Sequence, residues 1–549
     1  MPPKCGDSAR ASGPVAPASG PDDGISAQCI HGGSFLMRSA ELICSKLLDM
    51  NPTCVLAPAL VITFGTVCSG GEVILLALLA MQETYRGRGI NIKFRHLFSC
   101  ERKPNIQEWI KGVTTLIQFD DSQCQPCLFD NIETLGGSRA RCIIHDKPDG
   151  CEVPSVDLLI GGTSCKDFSK ASKSAKPTAE DLRTAGGSSP GGSVNTFLGL
   201  ISYLLSHLVS ILVFENVDTL DEGEATAVCN INTVTTCLDA VCEQFENGGL
   251  TCQAVLTDAM LFGHSCDRRR FYITGVQTGA SRLFNFAEKT IKATFTDMLA
   301  HMEACQRPGP SVNELLLPDS DTAVQSELNR RIASGYRLSD YNVSASITAF
   351  ASRGLRWGAD VFKASIKASP WFDTLPQNQR NILAVSCADN DTAGLRDISQ
   401  STSRIRYSRC TDVHHTTAMC MMPGQVVWVD PDLMPCNRVA VPRLMLGRES
   451  LMLQGYPLIQ IQKLVACTSE LVMTQIAGNM MSSAVPLALL MSLFASLPWS
   501  SNADKVLDTC NADEVEAALS LVRGISVNDE QKQDGEPARK TRRILRRRS

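Results

Sequence analysis

The first twenty residues, MPPKCGDSARASGPVAPASG, contain no apolar run. A secretory signal needs one, so the 23 cysteines are expected to be reduced thiols inside a cell rather than a disulfide framework. Metal-ligand pairs are scarce as well. Cys124 and Cys127 form the one C-x-x-C, with no second Cys or His pair at finger spacing, and no structural zinc site is expected. Long hydrophobic runs are missing too. The longest, SSAVPLALLMSLFASLPW, is interrupted by serines and a proline and is short for a membrane span. It reads as a core helix, and no membrane partner is expected. No internal repeat is found.

What is present is ordinary for a globular protein: 549 residues, 44% apolar and 20% charged, enough for two or three domains. The formal charge of −5 is uneven. The C-terminal run ARKTRRILRRRS holds seven Lys/Arg and no acid, so the rest of the chain carries −12. Phosphate binding by such a chain needs a locally positive cleft, with the tail as a possible tether. Residues 1–30 are rich in Pro, Gly, Ser and Ala and read as disordered. The body opens with short apolar or β-branched runs separated by helix-length segments: LVITFGTV, FRHLF, DLLIGG, SILVF and FYITGV. That alternation argues for a sheet with crossover helices, an α/β fold. Before SILVF, Phe197, Ile201, Leu204, Leu205 and Leu208 share one helical face. Past about residue 285 the alternation fades until about 440, as in an inserted second domain.

The ends of these strands carry the chemistry. DLLIGG runs past two glycines to Cys165 and then Lys166-Asp167, and carboxyl ends of strands are where doubly wound sheets place reactive groups. A Gly-rich turn, CSGGE, follows the first strand, and Glu101 in FSCER ends the second. A turn entering a helix, with an acid at the next strand end, is how such folds hold a nucleoside. The dinucleotide G-x-G-x-x-G spacing is absent, which points to a cofactor other than NAD. FEN occurs twice. The copy at Phe214-Glu215-Asn216 closes a strand, whereas the copy at 245–247 precedes Gly248-Gly249 and reads as a helix end.

Together these blocks resemble, in order, those of the cytosine-5 DNA methyltransferases. CSGGE resembles the first cofactor loop (Cys68, Ser69, Gly70, Gly71), FSCER the ribose block (Glu101, Arg102) and FDNIETL the adenine block (Asn131, Ile132). GGTSCKDFS resembles the nucleophile loop, FENV the acid block and CDRRRFYITG the arginine block, while RLMLGRESLMLQGYP and IAGNMMSSAV (Asn479, Met481) resemble the closing blocks. The resemblance covers roughly 60–280 and 440–500. It implies a Rossmann-like, doubly wound mixed sheet with a smaller target-recognition domain, S-adenosylmethionine as cofactor and double-stranded DNA as partner. The implied layout is a catalytic domain over 31–284, a recognition domain over 285–440, the rest of the catalytic domain over 441–500, and an extension over 501–549.

The resemblance also implies roles. Cys165 adds to carbon 6 of a flipped cytosine, Glu215 serves ring nitrogen 3, Asn216 braces the loop, and Arg270 holds the base carbonyl. Arg268 is structural or phosphate-facing, and His264 is structural. Four positions depart from the family pattern: Ser164 for proline, Lys166 for glutamine, Cys266 for glutamine and Glu72 for glycine. None of them removes a reacting atom, but the loop can aim the thiol differently without the proline ring. Two rival readings stand beside this one: a tRNA cytosine methyltransferase, whose Cys-Phe-Thr signature is absent, and a catalytically silent homologue. The basic tail resembles a nuclear-import signal, and a nuclear location is expected.

Overall fold

The computed structural model describes residues 35–50, 60–119, 125–169, 176–184, 192–222, 236–277 and, with shorter breaks, 283–499. The N-terminal tail, Cys124 and the basic tail lie outside the described residues. After helix α1 (Phe35–Met50), strand β1 (Leu60–Val67) leads into α2 (Val73–Gly87). Then come β2 (Ile92–Cys100), α3 (Pro104–Leu116) and the short β3 (Cys127–Phe129). Two short strands, β4 (Arg139–Ala140) and β5 (Cys151–Glu152), precede β6 (Val156–Gly162). Helix α4 (Ser193–Ser206), β7 (Val209–Val217), α5 (Cys237–Asn247), β8 (Leu250–Asp258) and β9 (Arg269–Gln277) complete the sheet.

The seven strands lie in the order β3-β2-β1-β6-β7-β9-β8. All neighbours from β3 to β7 are parallel, and β9 is antiparallel to both β7 and β8. This is a Rossmann-like mixed sheet, and FYITGV is its antiparallel member rather than a further parallel strand. The order reverses between β1 and β6, the switch point at which such sheets open a crevice.

Both faces are covered. On one, every residue of α9 (Ala484–Ser496) is buried, against α1, α2 and α6 (Ile291–Ala304). The stretch Glu470–Ser496 is long and apolar enough to cross a membrane, yet 94% of its most apolar part is buried within the protein. On the other face, Phe197 of α4 meets Phe214 of β7 and Phe245 of α5, with ring centroids 6.3 and 5.8 Å away. The apolar stripe of α4 is narrower than its spacing suggested. Phe197, Ile201 and Leu204 are buried, but Leu205 is exposed and Leu208 lies beyond the helix end, where His207 turns into extended backbone. The second FEN closes α5, with Gly248 as its C-cap and Gly249 at φ +84°.

The 285–440 stretch begins on this body, since α6 packs against α9. Further along it forms a small cluster of Ala349, Phe350, Ala384 and Val385. A three-stranded antiparallel sheet of Leu395–Asp397, Val427–Val429 and Arg443–Leu444 straddles position 440. There Arg443 is wholly buried, with Nη2 2.7 Å from Glu449 Oε1 and Nη1 2.9 Å from Oε2. The amides of Leu317 and Leu446 also donate to Glu449, and Arg443 Nε lies 3.3 Å from Asp319 Oδ1, so the buried arginine and its carboxylates join two segments, 317–319 and 443–449. Removing one partner of a buried pair costs about 3–5 kcal/mol, because the other charge is left uncompensated. Arg443→Met is therefore expected to lower stability by about that much in thermal or denaturant unfolding; a loss under about 1 kcal/mol would show that the pair does not hold these segments.

Candidate active site

The crevice is set by how closely three strand ends approach. A Cβ on Gly161 would lie 2.0 Å from the carbonyl oxygen of Val67, and one on Gly162 would lie 2.5 Å from that of Glu215. Only glycine lets β6 sit this near β1 and β7. Immediately beyond comes the loop 163–169, fastened from three sides. Ser164 N donates to Thr196 Oγ1 (3.1 Å), Asp167 N donates to Ser193 Oγ (3.1 Å) while Asp167 Oδ2 accepts from Ser193 N (2.8 Å), and Thr219 Oγ1 donates to Phe168 O (2.5 Å). Ser193 is the first residue of α4, so the Asp167 carboxylate also meets the positive end of that helix.

Cys165 stands half-buried in this loop beside a charge cluster of half-buried Glu215 and Arg270 and buried Arg268. Glu215 Oε1 lies 3.3 Å from Arg270 Nε and 3.7 Å from Arg268 Nη2. Burial, and then the Glu215 charge, push the Cys165 thiol up, while Arg270 and Arg268 pull it down. Burial works against the charge on Arg270, yet Cys420, Glu215 and Cys165 together hold its pKa above the ordinary value. The period-two alternation of β9 separates the three arginines. Arg268 and Arg270 turn to the site, and Arg269 is exposed. Arg268 is structural: its guanidinium donates to the carbonyls of Met421, Gly478 and Met480, the last at 2.6 Å. Asn216 is buried, with Nδ2 3.5 Å from Thr163 Oγ1 and Oδ1 accepting from Val217 N, a bracing position under the nucleophile loop.

The other half of the crevice lies at the ends of β1, β2 and β3. The turn 68–72 takes left-handed backbone at Cys68 (φ +50°), Gly70 (φ +76°) and Glu72 (φ +54°). Gly70 is pressed on the backbone of Asn479 and Met480, where a Cβ would come within 2.8 Å; this contact brings the last sequence block to the first. Glu101 is buried, accepting from Lys103 N at 2.9 Å. Burial raises its carboxyl, opposed by the Lys103 amide and ammonium and, more weakly, by Lys166. Lys103 in turn feels both Glu101 and Cys165, so the two halves form one electrostatic unit.

The remaining expected cofactor residues divide. Asn131 caps the single turn Ile132–Thr134, its Oδ1 accepting from Glu133 N at 3.1 Å, and Ile132 is buried beneath it. Arg102 is mostly exposed, 3.7 Å from Glu133, and Met481 is buried. His264 is structural: the Ala484 amide donates to Nε2 (3.1 Å), Nδ1 lies 3.2 Å from Leu453 O, and burial lowers its pKa to about 3.

Several contributors escaped the sequence. The segment 418–423 threads between the arginine block and the end of α8 (Glu470–Asn479). Ala418 exchanges backbone hydrogen bonds with Ser265 and Asp267, Cys420 Sγ lies 3.5 Å from Arg270 Nη2, and the backbone at Pro423 abuts Gly478. Glu72 is fully buried, with Oε1 accepting from Thr66 Oγ1 at 2.7 Å and Oε2 without a hydrogen-bond partner. Only its place beside the glycines hinted at it. The segment 418–423 has no periodicity or motif that sequence reading can use.

A mixed sheet of this order, with the 68–72 turn and the Cys165 loop at its switch point, defines a Rossmann-like class I methyltransferase fold. The family model for C-5 cytosine-specific DNA methylase matches residues 138–497, and the chain belongs to that family. It is 26% identical over 505 residues to the DNA (cytosine-5-)-methyltransferase DMT5 of Cryptococcus neoformans, a match covering 85% of this chain and 18% of that protein. The chain thus spans less than a fifth of the curated relative's length. Among solved structures it is similar to the Dnmt2 methyltransferase of S. pombe (12% identity, TM-score 0.34, 79% of this chain and 98% of that one). It is also similar to the methyltransferase EhMeth of Entamoeba histolytica (12%, 0.37, 79% and 97%).

The charge cluster has a signed consequence. Removing the Glu215 charge favours the thiolate, so Glu215→Gln should move the pH profile of Cys165 alkylation down, and Arg270→Met should move it up. The check is iodoacetamide labelling across pH, with the peptide carrying Cys165 quantified by mass spectrometry. Shifts in the opposite directions would mean that these side chains do not face the thiol.

Proposed function

We propose that this chain methylates carbon 5 of cytosine in double-stranded DNA, using S-adenosylmethionine and a covalent adduct on Cys165. The observation that carries the reading is the convergence of Cys165, Glu215 and Arg270 in one half-buried cluster. Carbon 5 of cytosine is a poor nucleophile until a group adds at carbon 6, and a thiolate is the best protein candidate for that addition. Cys165 forms the bond to carbon 6. The charge this pushes onto the ring is met at nitrogen 3 by Glu215, acting as a proton-bearing partner, and at the carbonyl oxygen by Arg270. After carbon 5 has been methylated, a water molecule in the crevice takes the carbon 5 proton, that electron pair restores the 5,6 double bond, the Cys165–carbon 6 bond breaks to release the thiolate, and nitrogen 3 returns its proton to Glu215. Because a duplex buries both faces of the base, the target must be flipped into the crevice.

The cofactor supplies an electrophilic methyl group when bound. The residues at the ends of β1–β3 fit it: Glu101 is a buried acceptor suited to ribose hydroxyls, the turn Ile132–Thr134 borders the adenine position, and Glu72 Oε2 is a buried acceptor without a donor. Cys68, Ser69, Gly70 and Gly71 provide backbone close to it. The region 285–440 serves as the target-recognition domain in this reading, with segment 418–423 as its contact to the arginine block. The seven cations of the tail add attraction for phosphate regardless of sequence, and the same run supports a nuclear location.

Transfer of labelled methyl groups to duplex DNA and to tRNA, assayed in parallel, tests the substrate. Counts on DNA alone are expected, abolished by Cys165→Ala with cofactor affinity retained. DNA carrying 5-fluorocytosine should trap the protein covalently, since fluorine cannot leave as a proton; turnover on normal DNA without trapping would sink the thiol-addition step. Glu101→Ala should weaken S-adenosylmethionine binding by about 1–3 kcal/mol, the cost of leaving buried hydroxyls unpaired. Unchanged affinity in calorimetry would place the ribose elsewhere.

A further inference from the structure

The Cys124-Cys127 pair alone offers no metal site, but the fold assembles a set of ligands from Cys127, the C-x-x-H pair Cys142-His145, and Cys151. Cys127 opens the edge strand β3. Cys142 lies beside that strand through an antiparallel bridge to Phe129 and a 2.8 Å bond from Ile143 N to Leu128 O. His145 follows on a turn closed by Asp146 N to Cys142 O (3.1 Å), with Asp146 itself left-handed at φ +42°. Cys151 opens β5, which pairs with β4. The approach to it passes through Gly150 at φ +72°, where a Cβ would meet Ala140 O at 2.3 Å. Arg139 fixes the same turn by donating to the carbonyls of Asp149 (3.0 Å) and Gly150 (2.7 Å).

Two short ribbons thus aim three sulfurs at one nitrogen. The Sγ atoms of Cys127, Cys142 and Cys151 lie 3.5, 3.3 and 3.4 Å from His145 Nδ1, and all four atoms lie within 4.8 Å of one another. Hydrogen bonding cannot account for this, since the lone pair of a neutral imidazole nitrogen accepts a single hydrogen. A central ion can. Zinc–sulfur and zinc–nitrogen bonds of about 2.3 and 2.0–2.1 Å at tetrahedral angles put the sulfur–nitrogen edge near ~3.6 Å, close to the three distances found. Soft thiolates with one imidazole select zinc over magnesium or calcium. Cys142 and Cys151 are buried.

We propose that Cys127, Cys142, His145 and Cys151 bind one zinc ion in a closed, structural tetrahedral site. Four protein ligands leave no open position, so the ion does no chemistry on substrate. It acts instead as a fastener. Cys127 lies on the strand that runs directly into Asn131 and Ile132, so the ion secures the outer edge of the sheet where the adenine block begins. Binding displaces the thiol protons.

The test uses the full chain purified without chelator. Elemental analysis should find about one zinc per protein. Cys142→Ser and Cys151→Ser should each lower that content at least tenfold, while Cys237→Ser, at a thiol outside the ligand group, should retain it. His145→Cys preserves four ligands and should retain zinc, which separates loss of a ligand from loss of the fold. Replacing zinc by Co²⁺ in the wild type should give thiolate-to-cobalt charge-transfer absorption and the visible bands of a tetrahedral ion, with a shift in His145→Cys. Zinc far below stoichiometry in a wild type that takes up none on addition, or a stoichiometric content indifferent to both serine variants, would overturn the proposal. So would a disulfide among these cysteines in the native protein.

Discussion

Everything at the crevice depends on the two missing side chains at the end of β6. Gly161 and Gly162 let the central strand press on the carbonyls of Val67 and Glu215, and that approach fixes the separation between the cofactor turn, the nucleophile loop and the acid. A methyl group at either position must force one neighbouring strand outward. Because the thiol, the carboxylate and the turn ride on three different strands, such a movement would misplace all of them together, and displacements of about 1 Å can cost roughly 100-fold in rate.

The cluster beside the thiol shows how one short stretch of sequence serves two ends. In Asp267–Arg270 the pleat sends alternate arginines inward. Arg268 is spent on the carbonyls of Met421, Gly478 and Met480, joining three distant segments behind the site. Arg270 keeps its Nε for Glu215 and its Nη2 for Cys420. Buried charges of this kind add little net stability, so the value of the cluster lies in presetting charge around Cys165. Burial and Glu215 favour the protonated thiol, and the two guanidinium groups favour the thiolate.

The strand ends were legible because each combines an apolar run with a chemically distinctive terminus. LVITFGTV coincides with β1, and DLLIGG lies within β6. What escaped had weaker signals. LTCQAVLTD, the edge strand β8, is half-exposed along most of its length and carries no long apolar run. Leu205 and Leu208 looked like core because helical spacing says nothing of where the helix stops. The segment 418–423 owes its position to backbone pairing with Ser265 and Asp267, which no side-chain pattern encodes. Half of the Cys127-Cys142-His145-Cys151 cluster, the Cys142-x-x-His145 pair, was open to sequence reading; the other half is brought in by strand pairing, with Cys127 on β3 beside Cys142 and Cys151 on β5.

The departures from the family's usual residues have local explanations, and these bear on whether the site is competent. A proline at 164 would have no amide hydrogen, whereas Ser164 donates one to Thr196; the rigidity of the ring is replaced by a hydrogen bond to the start of α4. Cys266 sits in the core with Gln454 Nε2 and Leu453 O each 3.3 Å from its sulfur, so it stabilises the junction of the arginine block with the GRESLMLQGYP block and does not face the base. Glu72 is the costly one. A side chain in left-handed backbone costs about 1–2 kcal/mol relative to glycine, and its buried carboxyl is driven upward by desolvation despite the Thr66 hydroxyl. The carboxyl is held in return by the hydroxyls around it, Thr66 at 2.7 Å together with Ser69 and Ser99, so the side chain is fastened beneath the turn that packs on Asn479 and Met480. The first loop has therefore exchanged the freedom of a glycine for an anchored side chain, while Cys165, Glu215 and Arg270 are all retained.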